Sequence, residues 1–474
     1  MKTLVALFFF LLPSFVFAQD AVQKDKFPQA IASLVKKAGF QESGISLFIQ
    51  PVDVSTPLVS FQSQQRFNPA SVIKLVTTAA SLDVLGVGYR WSTDVLYTGT
   101  IEGDTLKGDL YFRGNGDPYL TPERFWRLLN RIYIFGIRHI SGNVYLDNTY
   151  FDPAPVDYAA FDEQPFRTYN VGPNALLVGF QATEFHFNVI DGKVSITPFP
   201  DSPTLKITNN VSAISGPCAR WQKRLELKTM NNNGVREVVF DGRYATRCEK
   251  KTLYRRVSDA DDHFQHFFLP LWQQIGGSFS GEIKQAPVPV NAELALEGDS
   301  IDLSEAVRLI NKFSNNVMTR QVLLSMGAHS QGLPGTTEKG IASIRAWLTK
   351  HQLDGKELSL DNGAGLSRET RVSAAFLGRL LHFVYQQAYM PEFISSLPVV
   401  GYDGTMAHRF KNEAIIGRAH IKTGLLDFVQ TMAGYVTASS GKRYVVVMLH
   451  NDPKAHTKAA EELQNEIIRW IYRL

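Results

Sequence analysis

Two side chains three residues apart, Ser71 and Lys74, can form a nucleophile and its base. They lie in Asn68-Pro69-Ala70-Ser71-Val72-Ile73-Lys74-Leu75, and the run from Ala70 to Leu85 is largely apolar before Gly86 closes it. Asn68 suits a helix N-cap and Pro69 the first helical position, so the pattern predicts a buried helix with Ser71 in its first turn. The helix dipole there favours developing negative charge, and Lys74 projects on the same face one turn later. Apolar surroundings push a lysine amine toward its neutral form, which is a usable base. Serine with a base in reach is the minimum for an activated nucleophile. The spacing alone is not specific, because Ser33/Lys36 and Ser439/Lys442 repeat it. The first of these lies on a surface helix pattern and the second in a Ser-Ser-Gly-Lys turn.

Two further sets follow in the chain. Ser314-Asn315-Asn316 sits between helical patterns at Leu303 to Phe313, with Ser304 as the expected cap, and Val317 to Met326. Lys422-Thr423-Gly424 follows Ile421 and leads toward a strand, with glycine allowing close approach of a substrate backbone. Ser71-x-x-Lys74, Ser314-x-Asn316 and Lys422-Thr423-Gly424, in this order, form a specific set. It resembles that of the penicillin-recognising serine enzymes, which include penicillin-binding proteins and serine β-lactamases. More than two hundred residues separate Ser71 from Ser314. A gap of that size is similar to the low-molecular-mass class C penicillin-binding proteins, the D-alanyl-D-alanine carboxypeptidase/endopeptidase family. Gly108-Asp109-Leu110 through Gly116-Asp117-Pro118, Asn362 through Arg368, and Val400 through Thr405 resemble that family too.

The resemblance implies a transpeptidase-like domain carrying one or two β-rich accessory domains, and an acyl-enzyme chemistry without metal or cofactor. Ser71 would attack the carbonyl between two D-alanines or at a D-centred cross-link, and neutral Lys74 would take its proton. Lys422 would keep Lys74 neutral and attract the substrate carboxylate. Ser314 would relay a proton to the leaving amine, and Asn316 would hold Lys74 and the substrate amide. Backbone N–H groups of Ser71 and Leu425 would bind the oxyanion, and Thr423 the terminal carboxylate. Arg368 is a further candidate for substrate binding. Many relatives carry Ser or Thr where this chain has Leu425, which weakens strict carboxypeptidase preference and favours cleavage of cross-links. The implied partners are peptidoglycan stem peptides, with β-lactams as covalent inhibitors. A β-lactamase and a non-catalytic muropeptide-binding envelope protein are the alternatives.

The rest of the chain must position these groups. Its 474 residues exceed one ordinary core, and a net charge of +4 without a dense basic block gives no reason to expect nucleic acid. Met1 to Ala18 reads as a secretory leader, with Lys2, an apolar core from Leu4 to Phe17 and the small-residue site Val16-Phe17-Ala18. Export to the periplasm without a membrane anchor is therefore expected. The only cysteines are Cys218 and Cys248. A hairpin turning at Asn233-Gly234, between Leu225–Leu227 and Val238–Phe240, would bring their flanks together. A disulfide is then sterically plausible, with two buried thiols as the alternative.

Phe27 to Ala38 reads as an amphipathic helix, and Gly44 to Val52 and Leu58 to Gln62 as strands. Phe428 to Val436 and Tyr444 to His450 read as two more, before a final helix with Leu463, Ile467, Trp470, Ile471 and Leu474 on one core-facing side. The fold class is α+β multidomain. An antiparallel sheet flanked by helices, from residues 19–88 and 285–474, would be interrupted by a mainly β insertion at 89–284. Asp261-Asp262-His263-Phe264-Gln265-His266 carries metal-like letters but reads as a polar helix start. Gly114-Asn115-Gly116 lacks the lysine of a phosphate loop.

Overall fold

The computed structural model describes residues 27–474, so the expected leader lies outside the described residues. The layer that carries Lys422-Thr423-Gly424 is a five-stranded antiparallel sheet. Its order is Val59–Phe61, Ile45–Pro51, Arg443–Asn451, Val429–Thr437, Ala419–Leu426. Its inner strands are apolar on both faces because both faces are covered. Ile45, Leu47, Ile49, Val446 and Met448 point to a core shared with helices Gln29–Ala38 and Lys458–Tyr472. Phe48, Val445, Val447 and Leu449 point the other way, onto Lys74–Val84 and Ala374–Tyr385. The period of two along each strand thus builds a three-layer sandwich. On the final helix Leu463, Ile467 and Ile471 are buried in the first of these cores and Trp470 packs partly buried against it, whereas Leu474, expected on the same side, is exposed.

The insertion has its own cores. One lies between helices Pro122–Phe135 and Ala260–Gln274 and a five-stranded sheet ordered Ile283–Gln285, Val144–Asp147, Leu110–Gly114, Arg90–Tyr97, Glu293–Asp302. Because Glu293–Asp302 pairs with Arg90–Tyr97, the division expected at 284/285 falls inside this sheet, and the chain re-enters the catalytic layer at Leu303. Nested within it, residues between Thr183 and Arg255 form two three-stranded sheets around a separate core containing Phe185, Phe187 and Phe240. Strands Leu225–Asn232 and Val235–Ala245 form the expected hairpin, turning on Asn233 and Gly234, both at positive φ. Cys218 and Cys248 are joined in a disulfide.

The insertion is mainly β, as expected, and also carries helices: Thr121 caps the one that Pro122 starts, and Gly136 ends it in the left-handed conformation. One local expectation changes. The helix at 303 is capped by Asp302, which accepts from the Glu305 N–H, while Ser304 donates its hydroxyl to the same carboxylate. The metal-like letters resolve as that reading anticipated. His263 and His266 are buried inside the helix that Asp259 caps, and burial lowers their pKa values to about 3 and about 4.

Candidate active site

The segment before Ser71 is not the α-helical first turn that its residues suggest. Ala70–Ile73 forms a 3₁₀ turn, and the α-helix begins at Lys74. Asn68 still braces it, with its side chain accepting from the Ala70 N–H at 2.9 Å, but Ala70 sits at φ +46°, where a non-glycine residue is strained. Neighbouring elements hold that strain. Asn451 brackets the Asn68 backbone, accepting from its N–H at 2.8 Å and donating to its carbonyl at 3.0 Å. Thr431 donates to the Pro69 carbonyl at 2.7 Å.

Gly424 lets the sheet press against this turn. A Cβ there would come within 2.9 Å of both the Pro69 carbonyl and the Ser71 nitrogen. The glycine of Lys422-Thr423-Gly424 is therefore required by the protein's own backbone, rather than by a substrate's. Gly365 serves the other side: at φ +81°, it faces the Ala70 carbonyl where a Cβ would collide.

Lys74 is fully buried, and its Nζ lies 3.1 Å from Ser71 Oγ and 2.7 Å from Asn316 Oδ1, with the Ala364 carbonyl as third partner. Burial, then the charges of Lys422 and Arg320, hold its pKa well below the ordinary lysine range. A neutral amine has two N–H bonds and one lone pair. Asn316 Oδ1 and the Ala364 carbonyl can only accept, so in the neutral form they would take both N–H bonds, leaving the lone pair to accept the Ser71 hydroxyl proton.

Asn316 opens the helix Asn316–Gln331 that Asn315 caps, and its amide nitrogen donates to the Tyr169 carbonyl at 3.3 Å. Ser314 ends the preceding helix in the left-handed conformation. Lys422 is also fully buried and donates to Ser314 Oγ at 2.9 Å and to the Thr423 carbonyl at 2.8 Å; burial lowers its pKa to about 7.

Lys422 lies on the outermost strand, Ala419–Leu426, whose first half is covered by Pro398–Val400. Ile421 donates to the Pro398 carbonyl, away from the sheet. By the two-residue period, the N–H groups of Thr423 and Leu425 face the same side, along a stretch of edge that no strand among the described residues covers. The Thr423 hydroxyl donates to Thr405 at 2.8 Å, and the Leu425 side chain is exposed. Arg368 packs its guanidinium 4.6 Å from the Phe161 ring centre, donates to the Phe161 carbonyl at 3.4 Å and lies 3.8 Å from Asp427. The structure thus gathers Ser71, Lys74, Ser314, Asn316 and Lys422 into one connected cluster. Thr423, Gly424 and Leu425 lie along its open edge, and Arg368 bridges to the insertion.

Residues 27–474 match the family model described as the D-Ala-D-Ala carboxypeptidase 3 (S13) family. The chain belongs to that family. It is by that membership an enzyme, a serine-type D-Ala-D-Ala carboxypeptidase. A D-alanyl-D-alanine carboxypeptidase from Actinomadura sp. is 27% identical over 410 residues, which span 82% of this chain and 75% of the relative. The carboxypeptidase DacB of Haemophilus influenzae is 21% identical over 433 residues, 90% of each chain. The crystal structure of penicillin binding protein 4 from that organism shares the fold, with TM-score 0.79 at 18% identity over 94% of this chain and 99% of that one. A predatory endopeptidase of Bdellovibrio bacteriovorus, solved acylated by penicillin G, matches at TM-score 0.51 and 15% identity over 90% and 91% of the two chains.

Several groups at the site have no role assigned from the sequence, although Ala364, Asp403 and Thr405 lie in stretches singled out there. The Ala364 carbonyl belongs to the Asn362–Arg368 loop, which Asn362 folds by accepting from the Ala364 and Gly365 N–H groups. A backbone oxygen carries no residue-type signal. Lys312, two residues before Ser314, is buried and bonds both carboxylate oxygens of Asp403, at 2.8 and 2.7 Å. The Asp403 loop continues to Thr405, the partner of Thr423, so one ion pair ties Ser314 to the strand edge.

Asp403 is thus a positioning residue. Asp403→Asn is expected to lower kcat/KM by about tenfold to a hundredfold, because small misplacements of reacting groups cost that much. Asp403→Glu should recover part of the loss. Steady-state kinetics at matched folded fraction checks this. Loss of melting temperature with unchanged kinetics would leave Asp403 only a structural role.

Proposed function

We propose that this protein is an exported, penicillin-sensitive DD-peptidase that works through an acyl-enzyme on Ser71. The single observation that carries this reading is the Lys74 amine, desolvated and fixed 3.1 Å from Ser71 Oγ, where its neutral form would accept the Ser71 proton. Ser71 Oγ attacks the carbonyl of the penultimate D-residue as its proton passes to Lys74. The N–H groups of Ser71 and Leu425 receive the oxyanion, a role supported by the close approach of Gly424 to the Ser71 nitrogen. Protonated Lys422 has three donors, and the Thr423 carbonyl and Ser314 use two of them. The third is available to the substrate carboxylate, and Ser314 relays the proton taken by Lys74 to the departing amine, which leaves Lys74 neutral again. Water then releases the acyl group.

Export to the periplasm follows from the leader-like start of the chain, and no described helix is long and apolar enough to cross a membrane. Endopeptidase action on cross-links joins carboxypeptidase action in this reading. Leu425, 63% exposed, offers no hydroxyl to a terminal carboxylate, and Arg368 stands beside the same edge as a substrate-binding group.

Intact-protein mass spectrometry after incubation with benzylpenicillin tests the proposal. A penicilloyl adduct is expected on the wild type and is absent from Ser71→Ala. Rapid consumption of penicillin with no lasting adduct would instead support the β-lactamase alternative. Neither adduct nor consumption by folded protein would overturn the acyl-enzyme reading.

A further inference from the structure

A cavity of about 710 Å³ lies in the insertion, between the loop Glu163 to Arg167 and the segment Gln222 to Lys228, with Arg255 on its wall. Its ionisable lining is Arg167, Lys223, Lys228 and Arg255 against Glu163 and Glu226, an excess of positive charge. Arg167 and Arg255 are half-buried, and burial, followed by the charge of nearby Arg167, lowers the Arg255 pKa to about 10. The Arg255 guanidinium donates to the Tyr254 carbonyl at 2.8 Å. Among the described residues, neither arginine forms an ion pair. Two like charges partly withdrawn from water without a counter-ion are costly, and a bound carboxylate relieves both the desolvation and the repulsion.

The loop that bounds this cavity also walls the catalytic cluster. The Tyr169 carbonyl accepts from Asn316, and Phe161 holds Arg368 through its ring and its carbonyl. The same loop is tied to the insertion where the Arg256 N–H donates to the Phe166 carbonyl at 2.9 Å.

We propose that this cavity is a remote substrate subsite that binds a carboxylate-bearing stretch of the peptide substrate, away from the scissile bond. The inference rests on the DD-peptidase reading above and deepens it. A cross-linked peptide reaching across the Phe161–Asn170 loop would present its free carboxylates to Arg167 and Arg255. Lys223 and Lys228, more exposed, would steer them in.

The test compares kcat/KM for a cross-linked muropeptide dimer with that for a short, blocked acyl-D-Ala-D-Ala peptide. The ratio is expected to fall about tenfold in Arg167→Gln/Arg255→Gln, the scale of losing one charge-assisted contact. The exposed pair Lys223→Gln/Lys228→Gln should lower it in the same direction without straining the fold. Amidating the dimer's carboxylates should lower the ratio for the wild type as well. A ratio unmoved by the lysine pair and by amidation would overturn the subsite. If the wild type turns over neither substrate, the DD-peptidase reading fails on its own. Calorimetric titration of the dimer into Ser71→Ala, with and without the arginine substitutions, then decides the subsite: unchanged affinity would overturn it.

Discussion

Replacing Lys74 with methionine is expected to slow acylation by benzylpenicillin by about 10²- to 10⁴-fold, the range over which a positioned general base acts. Methionine keeps most of the volume of a side chain that is fully buried, so the packing around it changes little. The amine that lies 3.1 Å from Ser71 Oγ, positioned to take its proton, disappears. Asn316 Oδ1 and the Ala364 carbonyl lose a donor, while the cost of burying an amine is also removed. These opposing changes should leave the melting temperature within several degrees of the wild type. Lys74→Arg should be as slow, because a guanidinium does not give up its proton at neutral pH. Stopped-flow acylation with a chromogenic β-lactam checks both. A rate within tenfold of wild type in Lys74→Met would mean that the proton leaves by another route, through Ser314 and Lys422, and would sink the assignment of Lys74 as base.

What the sequence makes legible here is whatever depends on residue type at short range. The two-residue alternation of Leu47, Ile49, Val446 and Met448 marks the sheet, and Asn233-Gly234 marks the hairpin near the disulfide. The three motifs carry side chains that are rarely buried without a purpose, and they do converge. Helix Pro122–Phe135 also carried its signals, a threonine cap, a first-turn proline and a closing glycine, which the surrounding β pattern masked. Less accessible was anything set by tertiary contact. The positive φ of Ala70 is imposed by Asn451, Thr431 and the approach at Gly424, from parts of the chain far from it. The pairing of Lys312 with Asp403 spans 91 positions, and nothing local marks either as a partner of the other. Strand Glu293–Asp302 lies beyond residue 284, the expected end of the insertion. Composition shifts mark linkers poorly when a strand must return to a sheet already begun.

For a peptide ending in a free carboxylate, kcat/KM is expected to fall by about tenfold per pH unit above the Lys422 pKa, which burial places at about 7. The sign follows from the direction of that shift. Below it the ammonium is present to attract the carboxylate and to raise the cost of protonating Lys74. Above it both effects fade. A bound carboxylate stabilises the ammonium and raises its pKa, so the fall in kcat, which reports the complex, should come at higher pH than the fall in kcat/KM. On the acid side the limb belongs to Lys74, which must be neutral to accept the serine proton. The two amines repel, so the limbs are macroscopic constants of the pair. Lys422→Met should therefore do two things at once. It should remove the alkaline fall in kcat/KM, and, by relieving the repulsion, it should raise the Lys74 pKa and move the acid limb toward higher pH. Profiles of kcat and kcat/KM for the wild type and Lys422→Met, with an amide-terminated peptide as the carboxylate-free control, measure all of this. An alkaline limb that survives unchanged in Lys422→Met would assign it to another group and detach Lys422 from carboxylate recognition.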